Sequence, residues 1–164
     1  QTTFKLNRLI LFFLLTVASA CQSKVEENPA EWAYLVTPQD KILVKLAITD
    51  RQQIKGLSGT PDNEWPDDDG LLFLNDEERL HGFWMPDTYF DLDLFYFDKD
   101  FKIIDLQRSL PHFIGRSPEN RVPRAREVWA RHILEMKSKS EVAKKLKVGD
   151  QLKFQSPSPP RQIK

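Results

Sequence analysis

The chain has little cysteine, histidine or glycine: 164 residues contain one Cys, three His and six Gly. A single cysteine excludes an intramolecular disulfide framework and a zinc site built from several thiolates. His81, His112 and His132 show neither His-x-His nor His-Glu-x-x-His spacing, so no metal centre and no cofactor is expected. There is no phosphate loop, dinucleotide fingerprint or Gly-x-Ser-x-Gly elbow. An excess of one charge is missing as well. With 24 basic against 24 acidic side chains, the usual electrostatic case for nucleic-acid binding is absent.

What is present begins with an address. Lys5 and Arg8 precede the apolar run Leu9 to Val17, and Ala18-Ser19-Ala20 leads into Cys21. This is the layout of a secretory signal peptide. The run is about half the roughly 20 residues a helix needs to cross a bilayer, so export is expected rather than a permanent span. The stretch Val17 to Cys21 resembles a bacterial lipobox, with Ala18 in place of the preferred Leu. The one cysteine stands where lipidation needs it, and acyl chains on Cys21 would anchor the protein to a membrane. Gln22 after the cysteine resembles the pattern of outer-membrane lipoproteins facing the periplasm of Gram-negative cells.

This gives a signal peptide over 1–20 and a lipid-anchored tether over 21–31. One folded domain spans 32–155, followed by a Pro-rich tail over 156–164. Within the domain, Ile42 to Ile48, Leu71 to Leu74, Phe83 to Met85, Arg131 to Met136 and Gln151 to Phe154 read as strands. Leu92 to Phe97 and Phe101 to Leu106, split by Asp98-Lys99-Asp100, read as a hairpin. A helix over 140–147, capped by Ser140 and followed by Gly149, completes the pattern. The expected class is α+β and mostly β: an antiparallel or barrel-like sheet with two or three short helices.

From Ala47 to Phe154 the chain carries Ala47-x-Thr49, Gly56-Leu57, Gly70-Leu71-Leu72-Phe73, Phe83-Trp84-Met85-x-x-Thr88, Leu92-Asp93, Leu134-Glu135 and Gly149-Asp150. Together these motifs resemble the bacterial and archaeal family called domain of unknown function 192. The Phe-Trp-Met-x-x-Thr block is the specific part. The chain departs from the family pattern at Ser58, Thr60, Pro86-Asp87 and Asp91. The resemblance implies a mostly β domain, often exported, without an established reaction.

Two acids interrupt apolar strands and so need a reason. Asp93 lies between Leu92 and Leu94, and Glu135 between Leu134 and Met136. An ionised carboxylate is costly to bury without compensation. Asp93, with Thr88 and Trp84 nearby, reads either as a general acid, base or ligand-gripping group, or as a structural acid that holds a turn. Glu135 is the second candidate, and the two acids are weighed as a glycosidase-like pair. Asp67-Asp68-Asp69-Gly70 has a partial calcium-loop spacing, but Trp65 stands at the first ligand position, so the stretch reads as a solvated acidic turn. Charge is segregated along the chain: residues 62–105 hold fourteen acids and three bases, whereas 106–164 hold fourteen bases and five acids. The arginine-rich segment 110–126 reads as a surface loop that contacts anionic lipid heads or a partner's acidic face, is simply solvated, or pairs with the protein's own acids.

The leading expectation is a lipid-anchored envelope protein that binds an envelope protein or cell-wall ligand without chemistry. The alternatives are a hydrolase-like envelope enzyme using Asp93 with Glu135, Thr88 or His81, and a scaffold within an envelope assembly.

Overall fold

Three nearly unbroken apolar segments, GLLF, LDLFYF and HILEMK, form strands buried on both faces, which is what such runs require. A computed structural model describes residues 32–156. The expected signal peptide and tether, Cys21 and nearly all of the Pro-rich tail lie outside the described residues. The strands are β1 (Trp32–Val36), β2 (Lys41–Ala47), β3 (Gly70–Phe73), β4 (Arg79–His81), β5 (Leu92–Phe97), β6 (Ile103–Leu110), β7 (Val128–Ala130), β8 (His132–Lys137) and β9 (Lys153–Gln155). Two short helices, α1 (Asp50–Lys55) and α2 (Glu141–Lys145), join them.

Seven strands make one strongly curled sheet in the order β6-β5-β8-β3-β2-β1-β9, and β4 pairs with β7 in a separate ribbon. All neighbours in the large sheet are antiparallel except β2 and β3, which run parallel through α1. A bridge between Lys102 and Gln151, and a bond from the Leu152 N–H to the Phe101 carbonyl, draw the two sheet edges together. The expected mostly β, barrel-like α+β class is therefore what the chain adopts.

Side-chain alternation divides the core in two. Val44, Leu46, Leu72, Leu134, Phe95 and Phe97 point to the concave side, where Leu35, Ile103 and Leu152 join them. Leu71, Phe73, Leu92, Leu94, Tyr96 and Ile133 point outward, and are buried because the β4–β7 ribbon and the loops around Met85, Phe90 and Ala125 cover them. Gly70 permits the close packing of β2, β3 and β8: a Cβ there would stand 2.4 Å from Leu134 Cδ1.

The hairpin, the 42–48 strand, the 131–136 strand and the Ser140-capped helix stand where the sequence puts them. The Ser140 hydroxyl accepts the Ala143 N–H, and Ser140 Oγ itself donates to Asp68. The expected strand at Phe83 to Met85 is a correction. Only Trp84 forms an isolated bridge, to Arg124, and the strand of that region is the less apolar Arg79–His81. Strands β1 and β7 and helix α1 were not expected. Helix α1 is nevertheless well signalled, because Thr49 and Gln52 form a reciprocal capping box.

The acidic turn is not merely solvated. Lys137, with its side chain 1% exposed, reaches Asp62 Oδ1 at 2.5 Å and Asp67 Oδ1 at 3.0 Å, and donates to the Asp62 carbonyl at 2.7 Å. The Phe90 ring lies beneath the ammonium, 4.7 Å from its centroid. Buried charge needs this kind of pairing. Asp62 and Asp67 are held below the ordinary carboxylate range by hydrogen bonds from Lys137 and Lys139. Replacing Lys137 by Met removes those ties but keeps the volume. The expected result is faster amide exchange and proteolytic nicking confined to residues 62–69, with the sheet amides unchanged.

Candidate functional site

A cavity of about 430 Å³ opens on the convex side of the sheet, between β3, β5 and β8 on one side and α1, β4 and the 82–88 loop on the other. Its walls include Leu57, Phe73, Phe83, Trp84, Met85 and Leu92; its polar groups include Gln53, Ser58, Arg79, His81, Thr88 and Glu135.

Glu135 is the buried acid of this lining. On β8 it pairs with Leu71 of β3 and Leu94 of β5, so apolar neighbours flank it on both sides. It is 5% exposed, and its Oε2 has no hydrogen-bond partner within the protein. Burial without compensation pushes its pKa up to about 8, so at neutral pH the group is mainly a carboxylic acid, able to donate as well as accept. Gly56 makes room for it. A Cβ at that position would lie 3.6 Å from Glu135 Oε2 and 3.7 Å from the Phe73 ring. The backbone there has φ +51 and ψ −135, a conformation glycine tolerates, and its N–H closes α1 on the Gln52 carbonyl.

His81 forms another wall. Its ring stacks on Phe83 at 6.3 Å, and Phe83 meets Phe73 edge to face at 5.0 Å. Desolvation, reinforced by the nearby Arg79 cation, outweighs a hydrogen bond to the Ala130 backbone and lowers its pKa. The neutral imidazole keeps an unpartnered buried Nε2. A third unpartnered polar atom, the Tyr96 hydroxyl, lies on the same face of the sheet as Glu135, and burial pushes that phenol up to about 12. Every described buried side-chain polar atom without a partner thus belongs to the convex layer. Since native interiors pair nearly all such groups, this concentration marks the layer as unusual.

At the mouth, Arg79 Nη2 donates to Gln53 Oε1 at 2.6 Å and Asn75 Oδ1 at 3.0 Å. Gln53 Nε2 donates to Asn75 Oδ1 in turn, at 3.0 Å. On the opposite side both Ser58 Oγ and Thr88 Oγ1 donate to the Pro86 carbonyl, at 2.8 and 3.3 Å. That shared acceptor uses up both hydroxyl protons. The backbone of Thr88 is clamped to Phe113 by reciprocal bonds of 3.1 Å.

Three of the four candidate site residues, Glu135, Trp84 and Thr88, line this cavity, as does His81. Asp93 does not. Its register partner on β8 is Met136, whereas that of Glu135 on β5 is Leu94, so strand alternation points the two acids to opposite faces of the sheet. A glycosidase-like pair of Asp93 with Glu135 is therefore incompatible with the register. Asp93 instead takes a 2.6 Å ion pair from Arg108, the Ser109 N–H at 2.8 Å and the Ser138 hydroxyl at 2.7 Å. Arg108 goes on to bind the Ala143 and Leu146 carbonyls at the end of α2. Arg79 and Gln53 were not singled out from sequence, and Gly56 only as part of a motif. The resemblance gave Gly56-Leu57, and the capping box on α1 was the local signal for the segment that carries Gln53.

The arginine-rich segment pairs with the protein's own acids. Arg116 meets Asp87 at 2.5 Å, Arg124 meets Glu119 at 2.9 Å and Arg126 contacts Asp105. His112 and His132 stay apart from the cavity. His112 contacts exposed Asp91. His132 stacks on Phe101 at 4.5 Å and accepts the Asn75 N–H at 3.2 Å. Among the described residues no group of three or more His, Cys, Asp or Glu side chains is arranged to hold a metal ion.

A search of curated proteins found no match. Two solved structures share the fold. One is a candidate transcription regulator from Sinorhizobium meliloti 1021, 25% identical with a TM-score of 0.59, covering 76% of this chain and 92% of that one. The other is a protein of unknown function from Novosphingobium aromaticivorans DSM 12444, 20% identical with a TM-score of 0.57, covering 74% and 83%. The family model described as uncharacterized ACR, domain of unknown function 192, matches residues 34–154, most of the chain and all of the sheet apart from Trp32, Ala33 and Gln155. The motifs, the fold and this match agree: the chain belongs to the domain of unknown function 192 family.

Proposed function

We propose that this protein is an exported, lipid-anchored binding domain that captures a small molecule in the convex cavity, with Glu135 as its principal polar contact. The observation that carries the reading is the Glu135 carboxyl, buried and without a partner for Oε2 in the lining of a cavity large enough for a ligand. Leaving a polar atom in that state costs about 1–3 kcal/mol, which a ligand hydrogen bond recovers. The site-directed test is a protein-observed NMR screen of the full chain against a panel of neutral, cationic and anionic metabolites. A ligand should shift the amides of Gly56, Phe83 and Glu135, and Glu135→Gln should weaken it at least tenfold. Ligands that shift only amides elsewhere, or none at all, would overturn the reading.

One observation favours chemistry as a second reading. A carboxyl that holds its proton to about pH 8 is suited to general-acid work beside the neutral His81. On that reading Glu135→Gln abolishes turnover of the bound compound while leaving its affinity within a fewfold.

The anchor is a separate part of the proposal, supported by the lone cysteine at the end of the signal-like segment. Cys21→Ala is expected to move the protein from the membrane to the soluble fraction, with loss of the acyl mass. Retention on the membrane without acyl groups would refute lipidation.

A further inference from the structure

The hydrogen-bonding capacity and charge of the cavity lining narrow the ligand class, given the small-molecule reading above. The hydroxyls of Ser58 and Thr88 both spend their protons on the Pro86 carbonyl, so what they have left is lone pairs, one of which Ser58 Oγ already gives to Arg116 Nη2 at 3.3 Å. His81 offers a bare Nε2. Three of the uncharged polar groups, Ser58, Thr88 and His81, thus accept, the Glu135 acid adds a proton of its own, and the remaining side-chain N–H donors of the lining are those of Gln53, Lys55, Arg79 and Trp84. A set of acceptors is matched by a ligand rich in donors, and hydroxyl groups are donors that carry no charge.

Charge selects further. The ionised side chains of the lining are Asp50, Lys55 and Arg79, with Glu135 largely neutral, which leaves one net positive charge at neutral pH. The Arg79 guanidinium is oriented by Gln53 and Asn75, both neutral, so its hydrogen bonds position it without cancelling its charge. A fork held in this way favours a planar acidic group. A cationic ligand would meet Lys55 and Arg79 at the entrance. Phe83 and Trp84 offer apolar faces suited to the C–H side of a ring, and about 430 Å³ suits one ring rather than an extended chain.

We infer that the cavity takes a monosaccharide-sized hydroxylated ring bearing one carboxylate, with the acidic group at Arg79 and ring hydroxyls against His81, Thr88 and Glu135. The chemistry is that of a sugar acid.

The experiment titrates the full-length protein in detergent micelles with D-glucuronate, D-galacturonate, D-glucose and D-glucosamine at neutral pH, by isothermal titration calorimetry. A uronate is expected to bind about tenfold more tightly than glucose, the value of one charge-assisted contact. Arg79→Gln keeps a hydrogen-bonding side chain and should erase that preference, bringing uronate affinity down to that of glucose in the same variant. Arg79→Lys should restore part of it. Circular dichroism melting of both variants verifies that they fold. A preference that survives in folded Arg79→Gln, or tighter binding of glucosamine than of either uronate, overturns the inference. If no sugar binds but the metabolite screen finds another ligand at Glu135, the sugar-acid class falls and the binding reading stands. If nothing binds in either experiment, both fall.

Discussion

Asp93→Ala is expected to cost about 3–5 kcal/mol of stability, the range for stripping one partner from a buried ion pair. The carboxylate is 2% exposed and serves three donors from two places in the chain: Arg108 and Ser109 near the end of β6, and Ser138 just past β8. Without it, the Ser109 N–H and the Ser138 hydroxyl lose their acceptor, and the guanidinium that ties β6 to the end of α2 loses its counter-charge. In a domain of this size the melting temperature should fall by roughly 10–20 °C. Asp93→Asn, which keeps an acceptor for Ser109 and Ser138 but turns an amide N–H₂ toward Arg108, should lose at least half as much. A site role for Asp93 makes the opposite forecast, a folded Asp93→Asn protein with an unchanged melting temperature and lost ligand binding. Thermal melting of the two variants separates these outcomes.

Glu135→Gln is expected to stabilise the protein in mild alkali. The folded pKa of about 8 lies above the unfolded value of 4.5, so between these limits the folded state keeps a proton that the unfolded state has released. Stability therefore falls as pH rises through that window, with a loss on the order of 3 kcal/mol between pH 5 and pH 8 from the linkage relation. Glutamine has no proton to lose, so the variant's stability should be flat where the native protein declines. His132 acts at the other end. Burial lowers its pKa to about 4, so its contribution is complete above pH 6.5 and is lost as pH falls toward 4. In the folded state neither this histidine nor His81, whose pKa is also lowered, changes charge from pH 6.5 to 8.5, and the difference between native protein and variant cancels their titration in the unfolded chain. Denaturant titrations across that interval isolate Glu135. The Glu135→Gln protein should match the native one near pH 5 and exceed it by about 3 kcal/mol at pH 8.5.

The sheet was legible where burial on both faces leaves continuous apolar runs, as in Leu92 to Phe97. A Ser140 cap with Gly149 beyond it was enough to find α2. β4 and β7 escaped notice because three-residue strands such as Arg-Leu-His carry almost no periodicity, and they are fixed by pairing across about fifty residues of chain. Phe83-Trp84-Met85 looked like a strand because it is apolar, but it covers the cavity rather than joining the ladder, so its apolar character serves packing. The two intrusive acids were visible from sequence as exceptions. Their division of labour was not, because it depends on the parity of register between β5 and β8: one residue along each strand separates a satisfied structural carboxylate from an unsatisfied one. The interrupted apolar pattern shows that a buried acid needs compensation, whereas only the fold shows that Arg108 supplies it for Asp93 and that nothing described supplies it for Glu135 Oε2. The charge segregation between the two halves also found its explanation in three dimensions, in the Arg116–Asp87, Arg126–Asp105 and Lys137–Asp67 pairs.

The central claim, that Glu135 is an uncompensated acid held ready in a ligand cavity, is tested most directly by ¹³C NMR titration of glutamate carboxyls. Glu135→Gln identifies the resonance by its disappearance. The account expects that resonance to titrate near pH 8 in the free protein and to shift when a cavity ligand is added. A midpoint near 4.5, unmoved by any compound that binds, would contradict it.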